Sequence, residues 1–339
     1  MVKRVLITGI GGSIGVHVLR HIMVNTDWEV VGIDSFRHVG LTDRITRVMA
    51  KHPETKPRLS IFTHDLRAPI SQMLRKQMGR VDYIINLASM PDVAASIIDP
   101  LYTIRANTEI MMTMLEYARD VGCDAFLHVS TDEVYGQSDG KYYHREWDPI
   151  MPSSPYSASK AAQEAYAFAY WRTYNTPVII VNLMNNFAEM QSPFKFPSIV
   201  IRKVTRGETV TIHGSATEVG TRFYIHSRNS ADAMLFILRH GAPHSHTEGA
   251  VDRPDRYNVV GSRWVSNLEL AHMIAGYIGK PLKYQYEDFA KTRPGHDFHY
   301  GLDGRKLDAM GWKPPVSFEV SLQRTVEWYG RNPEWLEAQ

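Results

Sequence analysis

Arg4-Val5-Leu6-Ile7-Thr8-Gly9-Ile10-Gly11-Gly12-Ser13-Ile14-Gly15 joins a short β-rich run to a glycine loop, and a helical pattern continues through Leu19, Ile22 and Met23. Strand, glycine loop and helix in this order are the context in which such a loop reports dinucleotide binding. Gly9, Gly11, Gly12 and Gly15 permit a tight turn and close backbone approach. With Ser13 and Ile14 they open a helix whose unpaired N–H groups face a pyrophosphate. Alone, the loop reads equally well as an ordinary tight turn. The next strand, 29–33, ends at Asp34, about 20 residues beyond the last glycine, as a dinucleotide site requires. A carboxylate there accepts from ribose hydroxyls and repels a 2′-phosphate, which favours NAD over NADP; Arg37 is the nearby charge that argues the other way.

Strands expected at 59–63, 83–87, 126–130 and 178–182 alternate with helical stretches. That alternation implies a right-handed, doubly wound parallel sheet, an α/β Rossmann fold. Asp65 and Leu66 follow the third strand on the adenine side, and Leu87-Ala88-Ser89 follow the fourth beside the cofactor path. Each also reads as plain strand termination. Beyond Asn182 the pattern turns irregular: a helix at 197–205, a strand at 209–212 and a helix at 267–277 suggest a smaller α/β lobe. The stretch 224–238 reads as a strand and helix returning to the sheet. The expected division is 1–182, rejoined by 222–260, for the NAD-binding domain, and 183–221 with 261–339 for an interleaved substrate-binding lobe.

A chain of 339 residues can bury a large core and fill two lobes. Its formal charge of +2 argues against nucleic-acid binding through a basic face. Cys123 is the single cysteine, which excludes an intrachain disulfide and fits a reducing cytoplasm. No apolar run approaches membrane-spanning length and no leader pattern precedes the first strand, so a cytoplasmic protein without a membrane partner is expected. His240, His244 and His246 crowd one loop, but no His-Glu-x-x-His or Cys-x-x-Cys accompanies them, and no metal is expected.

Ser130-Thr131-Asp132-Glu133-Val134-Tyr135-Gly136 puts a hydroxyl and two adjacent carboxyls at the end of the apolar run 126–129. In an open parallel sheet, reacting groups collect outside the carboxyl ends of the strands. Adjacent like charges push one pKa up, so one carboxyl can be neutral beside a charged neighbour. Tyr156-Ser157-Ala158-Ser159-Lys160 places a phenol and an ammonium on one helix face. A free phenol titrates at about 10, too high for a base at neutral pH; a neighbouring ammonium and a positive nicotinamide ring favour phenolate. Each pair alone has a bland reading, solvated acids opening a helix or an incidental Tyr–Lys pair. Beside a complete dinucleotide half they compose a site that oxidises a sugar, eliminates water and returns the hydride.

On these stretches the chain resembles, over nearly its whole length, an extended short-chain dehydrogenase/reductase, specifically an NAD-dependent nucleotide-sugar 4,6-dehydratase of the dTDP-glucose type. Asn185-Asn186-Phe187, Arg293-Pro294-Gly295-His296-Asp297 with Tyr300, and Gly311-Trp312-x-Pro314 carry the resemblance further. It implies tightly held NAD along Gly9, Gly11, Gly12, Ser13, Ile14, Gly15, Asp34, Asp65, Leu66, Leu87, Ala88, Ser89, Asn107, Tyr156 and Lys160. It implies that Tyr156, aided by Thr131 and Lys160, deprotonates the 4-hydroxyl as NAD takes hydride from carbon 4. Glu133 would then remove the carbon-5 proton, protonated Asp132 would donate to the leaving 6-hydroxyl, and the hydride would return to carbon 6. Asn185, Asn186, Lys195, His213, Arg222, Arg263, Arg293, His296 and Tyr300 would surround the nucleotide sugar. Arg222 and Arg293 would grip its diphosphate, since a guanidinium fork pairs bidentately with phosphate oxygens. The helix at 108–119 and the helix carrying Tyr156 would form a homodimer face.

In the resembling families, 4-epimerases generally lack the Asp-Glu pair and decarboxylases typically carry Ser where Asp132 stands, so Asp132 speaks for loss of water. Three departures stand out: Met90-Pro91-Asp92, the stretch 188–194 before Lys195, and Arg263. They replace Glu-Ser-His, a stretch ending in Glu, and a nucleotide-contacting Asn, and so bear on which nucleotide and hexose are bound. The rival readings are a nucleotide-sugar 5,6-dehydratase, a 4-epimerase and, last, a non-catalytic NAD-binding regulator, whose mark would be a damaged catalytic set.

Overall fold

The structure is a computed structural model that describes residues 2–38, 40–243, 252–288 and 297–337. Its first part runs β1 (Arg4–Thr8), α1 (Gly15–Asn25), β2 (Glu29–Asp34), α2 (Leu41–Lys51), β3 (Leu59–Thr63), α3 (Gln72–Met78), β4 (Tyr83–Asn86), α4 (Val93–Ile98), α5 (Pro100–Val121), β5 (Ala125–Thr131), α6 (Pro155–Tyr174) and β6 (Val178–Leu183). There follow β7 (Asn185–Phe187), α7 (Phe196–Arg206), β8 (Val210–His213), β9 (Thr221–His226), α8 (Ser227–His240), β10 (Asp255–Val259), β11 (Trp264–Ser266), α9 (Asn267–Ile278), β12 (Tyr284–Glu287), β13 (His299–Tyr300) and a last long helix, Phe318–Arg331.

Seven strands form one sheet in the order β10-β6-β5-β4-β1-β2-β3, with every pairing parallel. Strands buried on both faces read as continuous apolar runs, which made β1, β2, β4, β5 and β6 recognisable, whereas polar β10 (Asp255–Val259) gave no such signal. Val5 and Ile7 of β1 face one core while Leu6, between them, faces the other with Val31 and Ile33. The connection changes direction between β1 and β4, and ligands bind at the carboxyl ends of strands flanking such a switch.

Thr8 marks that point. Its hydroxyl donates to Asn86 Oδ1 at 2.8 Å and accepts from the N–H groups of Leu87 and Ala88 at 3.0 Å. The ends of β1 and β4 are thus tied together beside the glycine loop.

One expectation fails here. The strand in 224–238 does not return to the large sheet: β9 pairs with β7, β11 and β13 instead. The free edge of β6 is taken by β10, so β9 closes a second, smaller sheet. Only α8 turns back, against α1. This second sheet sets Arg222 opposite both Val265 and Tyr300. A third, two-stranded sheet pairs β8 with β12. Among the described residues no helix is long and apolar enough to cross a membrane.

The glycine loop has little slack. A Cβ on Gly15 would lie 2.2 Å from the Gly9 carbonyl oxygen, and Gly9 itself sits at φ +65° with Ala88 against it. Gly15→Ala therefore forces the loop apart. We expect it to cost about 1–3 kcal/mol of stability and to strip nicotinamide from the purified protein, measured by thermal melts and by nucleotide release on denaturation. An unchanged nicotinamide content would contradict this.

Candidate active site

The reactive groups are placed by two short pieces of local structure. β5 runs two residues further than its apolar core, so Thr131 still pairs with Leu183 before the chain tightens into a 3-10 turn, Asp132–Tyr135. Thr131 caps that turn: its hydroxyl accepts from Glu133 N–H at 3.3 Å and donates to Asp132 Oδ1 at 2.9 Å. Gly136 ends it at φ +79°, where a Cβ would strike the Met151 carbonyl oxygen at 2.3 Å.

The helix α6 begins with a capping box. Ser154 Oγ accepts from Ser157 N–H at 3.1 Å, Ser157 Oγ accepts from Ser154 N–H at 2.9 Å, and Pro155 fills the first helical position. Tyr156 is the next residue, its N–H held by Ser96 Oγ at 3.2 Å. Its side chain meets the Thr131 hydroxyl. Lys160, one turn on, donates to the Val129 carbonyl at 2.9 Å and to Gln163 Oε1 at 2.6 Å. All five expected catalytic residues thus gather at one end of β5.

Burial governs their electrostatics. It pushes Asp132 up to about 6 and, with the Asp132 charge adding to it, Glu133 up to about 8. Interacting carboxyls titrate as a pair, and near neutrality this pair holds one proton. Arg222 lowers both carboxyls; the Thr131 hydroxyl also eases Asp132, while Glu133 is eased by Lys195 and raised by Asp297. Burial draws Lys160 down to about 7. It also holds the Tyr156 phenol well above its usual value, assisted by Glu133 and Asp132 and opposed by Thr131.

The residues present fit a dinucleotide. No side chain caps α1 at Ile14, so the helix N-terminus beyond Gly11, Gly12 and Ser13 is open to an anion. Asp34 ends β2, with Gly11 N–H at 3.0 Å and Phe36 N–H at 3.2 Å on its carboxylate. Arg37 is engaged by Asp65, which Arg67 also holds, so its charge is turned from Asp34 to Asp65. Leu66 is buried in the core, and Leu87, Ala88 and Ser89 line the strand end below Thr8. Asn107 is committed internally: its Nδ2 donates to Ser159 Oγ at 2.8 Å and its Oδ1 accepts from Met90 N–H at 2.7 Å.

On the substrate side, Arg222 is buried, lies over the Tyr300 ring at 5.3 Å, and its Nη1 has no hydrogen-bond partner among the described residues. An orphaned, buried guanidinium N–H suits a phosphate oxygen. Lys195, exposed ahead of α7, is near enough to Glu133 to oppose its rise. Asn185 and Asn186 lie in β7, but Asn186 is occupied by Ser230 Oγ at 2.7 Å and the Met184 carbonyl at 2.9 Å. His213 ends β8, and Arg263 spans Glu269 and Glu319 in a surface cluster. Arg293, His296, His244 and His246 lie outside the described residues.

Some partners escaped the sequence reading. Asp297 belonged to a quoted motif but had no role; it accepts from Ser153 Oγ at 2.6 Å and faces Glu133, Tyr300 and Arg222. Gln163 follows Lys160 by three residues, a helical spacing that could have flagged it. Thr8 gave no such signal.

Residues 6–325 match the family model described as GDP-mannose 4,6 dehydratase. The chain belongs to that family. It is 32% identical to the low-salt glycan biosynthesis protein Agl12 of Haloferax volcanii, over 96% of this chain and 98% of that one. It is 30% identical to a dTDP-glucose 4,6-dehydratase of Escherichia coli, over 98% and 94% of the two chains. The structure of DesIV, a dTDP-glucose 4,6-dehydratase from Streptomyces venezuelae with NAD and TYD bound, superposes with a TM-score of 0.85 at 30% identity, covering 99% of both chains. The family resemblance, the Rossmann fold, NAD as cofactor and the hydro-lyase class are borne out.

The raised Glu133 carries a stability signature. The folded state keeps a proton that the unfolded chain releases near pH 4.5, so stability falls as pH rises from there through about 8. Glu133→Gln should melt higher than wild type, by an amount growing across that window to about 1–3 kcal/mol. Parallel melting-temperature profiles for the two proteins would overturn this.

Proposed function

We propose that this member of the family converts a nucleotide-linked glucose to the 4-keto-6-deoxy sugar and water. The observation that carries the reading is the buried Thr131–Asp132–Glu133 turn set against Tyr156 and Lys160. Bound along the glycine loop and Asp34, NAD would supply a hydride acceptor and donor and a positively charged ring. Tyr156 takes the proton of the 4-hydroxyl, passing charge toward Thr131, while Lys160 supplies the nearby cation. A 4-keto group acidifies carbon 5. The carboxyl pair, holding one proton between two oxygen sets, then serves as base toward carbon 5 and as acid toward the 6-hydroxyl. In this reading Glu133 is the base toward carbon 5 and Asp132 the acid toward the 6-hydroxyl. Arg222 and Lys195 hold the diphosphate end, with Tyr300 and Asn185 nearby, so that the smaller sheet around β9 holds the nucleotide sugar against the NAD-binding domain.

Incubating the protein with dTDP-, UDP-, GDP- and CDP-glucose and with UDP-N-acetylglucosamine tests the reading. Loss of one water with NAD unchanged, and a new methyl signal by proton NMR, are expected with at least one of them. Interconversion of epimers alone would select the rival. Asp132→Asn should slow elimination by at least about 100-fold while leaving the first hydride transfer within a fewfold, so that NADH absorbance accumulates. Equal loss of both steps would refute the role given to Asp132.

The reading includes a homodimer in the cytoplasm, where Cys123 remains a buried free thiol. Support for the dimer comes from α4 and α5, where Ile98 and Leu101 stand 85% and 63% exposed beside Tyr102 and Ile104. Such apolar exposure marks an interaction surface. Leu101→Glu should halve the mass found by light scattering; an unchanged mass would exclude this face.

A further inference from the structure

Glu164, Asn182 and Arg256 lie directly behind the proton-transfer groups, and the reaction as described uses none of them. Each is buried to 1% exposure or less. Arg256 Nη2 pairs with Glu164 Oε2. Glu164 Oε1 accepts from Asn182 Nδ2 at 2.9 Å, and the same amide donates to the Thr131 carbonyl at 3.0 Å. Both amide protons are therefore spent. Arg256 also donates through Nη1 to the Glu146 carbonyl at 2.7 Å, and Tyr135, Trp147 and Phe168 surround its guanidinium with ring centroids 5.0–5.7 Å away.

The spacing gives this pair its meaning. Glu164 follows Lys160 by four residues on α6, the separation at which lysine and glutamate ordinarily meet on a helix face. They do not meet here. Lys160 gives its protons to the neutral oxygens of Val129 and Gln163, while the two oxygens of Glu164 are divided between Arg256 and Asn182. A fully buried ion pair adds little stability over apolar packing of the same volume, so stability alone is a weak reason for it.

We propose that Arg256 is a positioning residue for proton transfer: by occupying Glu164 it keeps that carboxylate off the Lys160 ammonium and aligns the Thr131 carbonyl through Asn182. Without Arg256, Glu164 is free to draw the ammonium along the helix. Tyr156 then loses its cation, its phenol rises further, and the rising limb of the pH profile moves to higher pH. Lys160 is bonded to Gln163 on its own helix, with Tyr156 and Glu164 one turn to either side in the sequence, and His128 on β5 feels both Lys160 and Arg256 of β10. His128 is kept neutral by burial, with Lys160 and Arg256 adding to that effect.

The inference rests on Tyr156 and Lys160 acting as the proton-transfer pair, and wild-type protein in the same assay tests that separately. The measurement is single-turnover NADH formation across pH with NAD-loaded protein, alongside bound-NAD content and KM. For Arg256→Met we expect hydride transfer to slow by at least about tenfold, with an upward shift of the rising limb and NAD content and KM little changed. In Arg256→Met/Glu164→Gln the competing charge is gone and the introduced amide oxygen still accepts from Asn182. Its rate and profile should return to within about threefold of wild type. If Arg256→Met does not fold, Arg256→Gln, which retains a donor toward Glu164, is held to the same criteria. A folded single variant with the wild-type rate and profile overturns the inference, as does a double variant as slow as the single. Wild-type protein that forms neither NADH nor a dehydrated product with any of these sugar nucleotides would instead sink the underlying reading.

Discussion

Exclusion of water from the end of β5 is the constraint on which the active site depends. Thr131, Asp132, Tyr156 and Lys160 are all buried there, and every charged form they adopt has lost its hydration. The consequences run in one direction: carboxyls rise, the ammonium falls, and the phenol is held protonated. A site that moves protons near neutral pH needs carboxyls and an ammonium poised in this way, and the phenol needs a cation beside it before it can take a proton. The same poise lowers stability, because removing a buried charge relaxes the fold while removing the chemistry. The capping box at Ser154 and the Thr131 turn keep these groups in place despite that cost.

The second sheet completes the enclosure. β9 brings Arg222 to the mouth of the site because β10 already occupies the edge of the large sheet, and β13 places Tyr300 beside it. Asp297, just ahead of β13, adds a third carboxyl that raises Glu133 further. β5 and α6 carry the candidate reacting groups, and the smaller sheet adds a charge that lowers both carboxyls, Arg222.

Most of the large sheet was legible in the sequence, with strand ends read to within one or two residues, because parallel strands covered on both faces are continuous apolar runs. The glycine loop, the Thr-Asp-Glu turn and the Tyr–Lys spacing were legible for a related reason: their chemistry is local. What stayed hidden was long-range. An apolar strand does not announce which sheet it joins, and β9 was misplaced accordingly. The side chains of Asn107 and Asn186 look like ligand contacts in one dimension, yet Ser159, Met90, Ser230 and Met184 take up their hydrogen-bonding groups. Adjacent carboxyls promise raised pKa values, but not that Arg222 and Asp297, far along the chain, also bear on them.

The stretch 188–194, where the sequence departs from its relatives' pattern, has its own internal logic. Glu189 sits against His226 at 3.0 Å; burial works against its charge, but that hydrogen bond and the charge of His226 hold its carboxyl well below the usual range. Met190 adopts φ +60°, and its carbonyl accepts from Arg44 Nε at 2.8 Å while Arg44 Nη1 reaches the Gly11 carbonyl at 3.2 Å. Tyr329 of the last long helix accepts from Gln191 N–H at 2.9 Å. The segment is thus tied at once to the glycine loop and to the C-terminal helix. A left-handed Met strained by about 1–3 kcal/mol persists only where its surroundings over-determine it, and here three elements do so. The acidic residue of this stretch is consequently spent on His226, within the tie between the glycine loop and the C-terminal helix. Phe194 and Lys195, at the end of the segment, stand exposed beyond these ties.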